Sequence, residues 1–255
     1  MSAARRREEG AIVSLNAGSS SIKYAIYATD PALRLVSRGE VEHADAEGAD
    51  ALLATVEGKL GGLALRAVGH RIVHGGAQFA APVAITPEVL AALEALTPLA
   101  PLHQPLGLRP VEALARARPQ LLQVACFDTA FHHGLQPPVS RYAIPRAYEA
   151  KGIRRYGFHG LSYEHIARRL GEISPHLLAR KAVVAHLGSG ASLCAMQDGI
   201  SVDTTMGFSA LDGLVMATRP GAIDPGILLY LLEEEGMSPK ALEEMLYHRS
   251  GLLGV

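Results

Sequence analysis

The sequence predicts an α/β chain built on a duplication. Three observations carry this. Apolar, strand-like runs alternate with capped helical segments along 255 residues. Two stretches, AIVSLNAGSSSI (Ala11–Ile22) and AVVAHLGSGASL (Ala182–Leu193), align without a gap. Each reads as an apolar strand, a turn of small residues and an outgoing strand. Hydrophobic residues make up 49% and charged residues 19%, enough apolar material for a sizeable core and too little charge for a disordered chain.

The elements follow in order. Arg5, Arg6 and Arg7 precede Glu8 and Glu9 with no long apolar segment behind them, so residues 1–10 read as a frayed tail and not as a secretory signal. Ala11 to Tyr27 reads strand, turn, strand. Val68 to Val73 is a further strand that runs into His74-Gly75-Gly76. Thr86 and Pro87 supply an N-cap and a first-turn proline for a helix to about Leu96. Pro98, Pro101 and Pro105 predict an irregular loop around His103, then a second helix to about Arg118. Leu121 to Phe127 is a buried strand with Asp128 at its exit. Ser162 is the expected cap of a helix to about Leu170. Ala182 to Met196 repeats the strand–turn–strand pattern. Asp224-Pro225 and Ser238-Pro239 open two closing helices that stop near Gly236 and Gly251. This gives a first α/β domain over 11–130. A connecting segment and a partial second domain occupy 131–255. The second unit begins near residue 182 and has room only for an incomplete copy of the first.

Composition excludes several functions. Lys and Arg total 24 against 25 Asp and Glu, a net charge of −1, so bulk charge offers no grip on nucleic acid. No apolar run approaches the roughly 20 residues of a membrane span. Cys126 and Cys194 form neither a disulfide framework nor a CxxC pair, which fits a reducing cytoplasm. His132 and His133 follow no zinc spacing.

The small-residue turns point to phosphate. Gly and Ser let backbone N–H groups approach an anion without obstruction. Asn16 to Lys23 adds hydroxyls and a cation to the first turn, and His186 to Gly190 forms the second. Neither is a Walker loop, and Leu193 stands where a dinucleotide fingerprint needs its third glycine. Arg71 and Arg219 are the cationic candidates, though either one taken alone reads more readily as a structural ion-pair partner. His159 sits in a glycine-rich bend where a hydrogen-bonded structural role is the plainer reading. Asp128 either collects a ligand at a strand end or caps the next turn.

Taken together, VSLNAGSSSIKY, GHRIVHGG, APLHQPLGL, FDTAFH, RRYGFHGLSYEHIA, AHLGSGASL and SVDTTMGFSALDGLVMATRPGAIDPG closely resemble the acetate kinase family, in the family's order and over nearly the whole chain. The resemblance implies a duplicated actin-like (ribonuclease H-like) ATPase fold, with a nucleotide cleft between the copies and the second copy incomplete. It implies reversible in-line transfer of the γ-phosphoryl of ATP to acetate, with Mg2+, in a cytoplasmic enzyme. Full-length members are homodimers, and neither nucleic acid nor membrane is an expected partner.

The resemblance also assigns residues. Asn16 is implied at the magnesium–phosphate site. Ser19, Ser21 and Lys23 match the first phosphate turn. His186, Leu187, Gly188, Ser189 and Gly190 match the second. Arg71 and Arg219 match the arginines that hold the carboxylate and the transferring phosphoryl. His159 matches the transition-state histidine, His103 a histidine on the acetate side, and Asp128 the essential aspartate. Val73, Leu102 and Phe158 match the pocket for the acetate methyl.

Three positions depart from the pattern: Ser189 for a usual Asn, Ala210 for a frequent Pro at the methyl pocket, and Ala222 for a common Asp. The family's GGIGEN-like adenosine motif, its late glutamate and its closing helix have no counterpart. The rival readings are therefore a propionate or butyrate kinase, an inactive fragment that binds phosphate, and an actin- or chaperone-type ATPase.

Acetate is ionised at neutral pH, so the nucleophile needs no base. The obstacle is repulsion between two anions, about 4 kcal/mol per pair of unit charges at 4 Å and an effective dielectric near 20. Arg71, Arg219, His159, Lys23 and magnesium are the expected remedy, with Asp128 an organiser and not a base.

Overall fold

The computed structural model describes residues 10–18, 21–42 and 46–255. Residues 1–9 of the expected tail lie outside that range, and residue 10 already opens the first strand. The chain divides into two compact units. The first comprises residues up to Gly75 together with Ala81–Phe127, and the second Gly76–Ala80 together with Asp128–Val255.

The first unit holds β1 (Gly10–Ala17), β2 (Ser21–Ala28), β3 (Arg34–Glu42), α1 (Ala46–Lys59), β4 (Ala64–Ile72), β5 (Val83–Ala84), α2 (Pro87–Glu94), α3 (Gln104–Ala117) and β6 (Leu122–Phe127). Its sheet runs β3-β2-β1-β4-β6-β5. β1 pairs antiparallel with β2 and parallel with β4, which pairs parallel with β6. Alternate residues Ala11, Val13, Leu15, Ile22, Tyr24 and Ile26 face one side and are buried with Leu52, Leu53 and Val56 of α1 and Leu114 of α3. The period of two in the strands is what gives the sheet one apolar face for these helices.

Local chemistry sets the helix ends. Thr86 Oγ1 accepts from Val89 N (3.3 Å) and Pro87 occupies the first turn of α2. The proline-rich stretch is less irregular than expected. Thr97–Leu99 forms a 3-10 turn and α3 begins directly after His103, with Pro105 in its first turn, where the missing N–H costs nothing. Two elements had no sequence signal strong enough to announce them. β3 carries polar residues at most positions, and α1 follows it after three residues outside the described range.

The second unit contains α4 (Gly160–Ile173), α5 (Pro175–Leu178), β7 (Lys181–Leu187), β8 (Ala191–Gln197), β9 (Ile200–Thr204), α6 (Pro225–Glu233) and α7 (Pro239–His248). β7, β8 and β9 form an antiparallel meander in that order, as β1, β2 and β3 do. Tyr163, Ala167, Cys194 and Met196 make its buried centre, packed by Phe131, Leu170, Leu178 and Val184. The duplication is thus a repeated fold and not only a repeated string. Among the described residues the second copy stops at three strands, where the first extends from β1 to β4 and beyond. Val183 and Leu187 on β7 are 71% and 74% exposed.

One expected cap is corrected. α4 starts at Gly160, not after Ser162, and its N-cap is His159 in the left-handed region (φ 60°, ψ 19°). The start is set by a tertiary bond, Gly160 N to the Asp128 carbonyl at 2.8 Å. That frees the Ser162 hydroxyl for another partner.

Candidate functional site

Each unit gathers its own set of the sequence-predicted residues. In the first, the pairing of β1 with β4 places Leu15 beside His70, so Asn16 and Arg71 are the next pair along. Arg71 Nη1 donates to Asn16 Oδ1 at 2.9 Å. Lys23, exposed, is the cross-strand partner of Asn16. Two cations therefore flank one amide at the mouth of the first hairpin. Ser21 is buried and its hydroxyl donates to a Glu40 carboxylate oxygen, while Ser19 lies outside the described residues. Val73 and Leu102 are half-buried, and His103 precedes the first turn of α3.

Behind this face lies a buried polar layer. His70 Nε2 donates to Gln123 Oε1 (2.8 Å), and Gln104 bonds the His74 backbone in both directions (3.2 and 3.1 Å). The first contact ties the strand that carries Arg71 to β6, and the second ties the segment just after that strand to the start of α3. Burial drives the His70 and His74 imidazoles from 6.5 down to about 4.

The second unit builds a tighter cluster. The rings of His159 and His186 stack with centroids 4.1 Å apart and planes 25° from parallel. His159 Nδ1 pairs with Ser192 Oγ (2.8 Å), and the Tyr163 hydroxyl meets the same Ser192 oxygen. His186 Nδ1 pairs with the Ser162 hydroxyl (3.0 Å). His159, Ser162 and Tyr163 lie at i, i+3 and i+4 around the start of α4, which is why three side chains converge on one hairpin.

Below them, His132 Nε2 donates to the Phe158 carbonyl (3.0 Å) and its Nδ1 faces Ser201 Oγ (2.7 Å). Burial holds His132 at about 4 against the opposing pull of Phe158 and the Asp128 charge, so it is a neutral Nε2–H tautomer. It pins the backbone one residue ahead of His159. Asp128 and Phe158 are themselves buried.

Arg219 completes the cluster. A Cβ built on Gly190 would stand 3.4 Å from His159 Nε2 and 3.5 Å from Arg219 Nη2. Glycine at 190 leaves the gap between imidazole and guanidinium open, and a larger side chain would fill it. Arg219 Nη1 donates to the Ala210 carbonyl at 2.9 Å. Burial lowers its pKa from the ordinary value, yet a guanidinium stays protonated at neutral pH. A half-buried cation with five N–H donors, set against a backbone turn, has the chemistry to hold a small oxyanion. Leu187, Gly188 and Ser189 at the hairpin tip are exposed.

The sequence reading missed Ser192, Tyr163 and His132. Ser192 was findable, because the gapless alignment sets it over Ser21. Removing its hydroxyl (Ser192→Ala) strips a shared partner from two groups and is expected to lower unfolding stability by about 1–2 kcal/mol. Urea denaturation of the two proteins checks this; equal midpoints would show that the hydroxyl is not holding the cluster.

Among the described residues no group of three or more His, Cys, Asp or Glu side chains is poised to hold a metal, and no helix is long and apolar enough to cross a membrane.

A profile of the Acetokinase family matches residues 46–255. An acetate kinase of Rhodopseudomonas palustris (strain TIE-1) is 48% identical over 273 residues, spanning 94% of this chain and 68% of the relative. An acetate kinase of Deinococcus radiodurans is 44% identical over 266 residues, spanning 94% of the chain and 67% of the relative. Among solved structures, Porphyromonas gingivalis acetate kinase superposes with a TM-score of 0.84 at 36% identity, covering 96% of this chain and 69% of that one. A propionate kinase from Francisella tularensis gives 0.86 at 35% identity, covering 96% and 70%. The matched span, the identities and the superpositions agree with the repeated hairpins: this chain, about two thirds the length of these relatives, belongs to the acetokinase family of kinases and has the duplicated actin-like α/β fold, its second copy incomplete.

Proposed function

We propose that the chain carries the phosphoryl-transfer apparatus of an acetate kinase, passing the γ-phosphoryl of ATP to acetate. One observation carries the reading: the Arg219 guanidinium and the His159 imidazole face the same small gap at Gly190, on the second small-residue hairpin. An acetate oxygen forms the new bond to phosphorus as the bond to the ADP oxygen breaks, and ADP leaves with the electron pair. No proton need move, because acetate is already an anion. The work left to the protein is to cancel repulsion as charge spreads over the equatorial phosphoryl oxygens.

In this reading Arg219 and His159 contact those oxygens. A relay from Tyr163 O–H to Ser192 to His159 Nδ1 leaves the imidazole proton on Nε2, the nitrogen nearest the Gly190 gap. Burial raises the Tyr163 phenol, which keeps it a donor. Arg71 is assigned to the carboxylate and Asn16 to its orientation, with Lys23 and the hairpin backbone toward the nucleotide phosphates. His186 braces His159 by stacking. Val73, Leu102, His103 and Phe158 are assigned to the acetate side, and Asp128 to organisation beneath His132. Magnesium enters as the counter-ion of ATP, in keeping with its preference for water and substrate phosphates over protein cages.

Hydroxamate trapping of acetyl phosphate from ATP and acetate tests the assignment. Product formed by the chain supports it, and ATP hydrolysis that ignores acetate would replace it with an ATPase reading. No product and no nucleotide binding would mark an inactive fragment.

A second reading, a propionate kinase, has its own support. The Ala210 carbonyl is bonded to Arg219, so this small residue adjoins the cluster, and one of the similar structures is a propionate kinase. One methylene is worth about 1–3 kcal/mol in an apolar pocket. Acetate is expected to show the higher kcat/KM, by about tenfold or more. A higher value for propionate would decide for the second reading.

A further inference from the structure

The loop that carries Arg219 is tied down by the last turn of the chain. Ser250 N donates to Thr218 O (3.0 Å), Leu252 N to Met216 O (2.9 Å) and Leu253 N to Ala217 O (3.0 Å). The Thr218 hydroxyl donates back to the Tyr247 carbonyl at 2.7 Å. On its other side the loop is bonded to the phosphate hairpin, Ala217 N to Ser189 O (3.2 Å). Three consecutive residues ahead of Arg219 thus have their carbonyls taken by one short segment, and one of their N–H groups is spent on the hairpin itself.

Gly251 lies at the centre of this strap. Its φ is +68°, a region that L side chains enter only under strain. A Cβ there would stand 2.2 Å from Met216 O, 2.6 Å from Arg219 O and 2.7 Å from Arg219 N. All three are backbone atoms, so no rotamer change relieves the clash. Either the strap lifts or the Arg219 loop moves.

We propose that the Ser250–Leu253 turn, closed on Gly251, is a positioning device that holds the Arg219 guanidinium at the Gly190 gap. The inference rests on the reading of Arg219 as a phosphoryl ligand. It follows from the cost of placing a half-buried cation to within a fraction of an ångström. Side-chain contacts of Arg219 with Ala210 constrain the tip, but the loop backbone has no sheet or helix of its own to constrain the base. The strap supplies that constraint through main-chain hydrogen bonds. It couples helix α7, through Tyr247, to a residue it does not itself carry.

The test is a double-mutant cycle on the 255-residue chain, read as the dissociation constant of acetyl phosphate by calorimetry, with a urea transition confirming that each variant is folded. Arg219→Ala is expected to weaken binding at least tenfold. Gly251→Ala is expected to weaken it several-fold to tenfold in the parent, and by less than twofold when Arg219 is already alanine. Thr218→Val, which removes only the bond to Tyr247, is the milder probe and carries the test where Gly251→Ala does not fold. It is expected to cost two- to fivefold, again only when Arg219 is present. Parent-like affinity in the folded strap variants, beside a weakened Arg219→Ala, overturns the strap while leaving the reading of Arg219 intact. Equal losses with and without Arg219 also overturn it, because general damage does not depend on one side chain. No binding by the parent, or none lost in Arg219→Ala, removes the reading of Arg219 and the strap with it.

Discussion

Arg219→Ala should lower the rate of acetyl phosphate formation by about a thousandfold or more, the loss typical of removing an arginine from a phosphoryl-transfer site. The expectation comes from where the guanidinium sits. It is half-buried, shares the Gly190 gap with His159, and is anchored at one nitrogen by the Ala210 carbonyl. Water cannot replace it there as readily as on an open surface, and a charge opposing the developing oxyanion is worth more in a less polar setting. The loss should fall mainly on kcat, with KM for acetate changing several-fold at most, if the contact strengthens in the transition state. Lysine at 219 should recover little, since a point charge lacks the planar fork. Added guanidinium ion should restore part of the rate in the alanine variant alone. A kcat within tenfold of the parent would remove Arg219 from the chemistry.

Acid should unfold this protein well before its carboxylates titrate. His70, His74 and His132 are each pushed from 6.5 to about 4 by burial, so the folded state keeps them neutral where the unfolded chain protonates them. The sign is fixed by proton counting. Between pH 6.5 and 4 the unfolded state binds more protons, so stability is full above 6.5 and falls as pH drops. Each group contributes a slope of about 1.4 kcal/mol per pH unit. From pH 7.5 to 5.5 that amounts to roughly 4 kcal/mol for the three, two of them in the first unit and one in the second. A loss of that size is a large share of an ordinary domain's stability. Urea transitions at the two pH values measure it, and His132→Asn should flatten the slope of the second unit. Unchanged midpoints at pH 5.5 would mean that these imidazoles open to solvent before they charge.

Much of this was legible in the chain. The strand–turn–strand pairs at Ala11 and Ala182, the Thr86-Pro87 cap and the Asp224-Pro225 and Ser238-Pro239 helix starts all rest on local rules: period-two burial, side-chain oxygens that cap orphan N–H groups, and proline in a first turn. The motif string around His159, His186 and Arg219 named the residues that the second unit brings together. Ser162 shows the limit. As a sequence signal it is a helix cap, but the helix begins three residues earlier because Asp128 offers a carbonyl to Gly160. The serine then faces His186. β3 was silent for a related reason. Its residues alternate only weakly, and it is a strand because β2 presents a free row of backbone groups to it.

By itself the sequence determined the duplication, the period of each strand, the ends of most helices and the chemical type of every candidate ligand, since these depend on neighbours a few residues away. The tertiary structure decided which side chains share a partner. Ser192 bridges His159 and Tyr163, His132 pins Phe158, and Gly251 meets the backbone of Arg219, over separations of up to 33 residues that no local periodicity encodes. Such contacts arise only when the chain has paid the entropy of bringing distant segments together, and their geometry is set by packing that is cooperative over the whole unit.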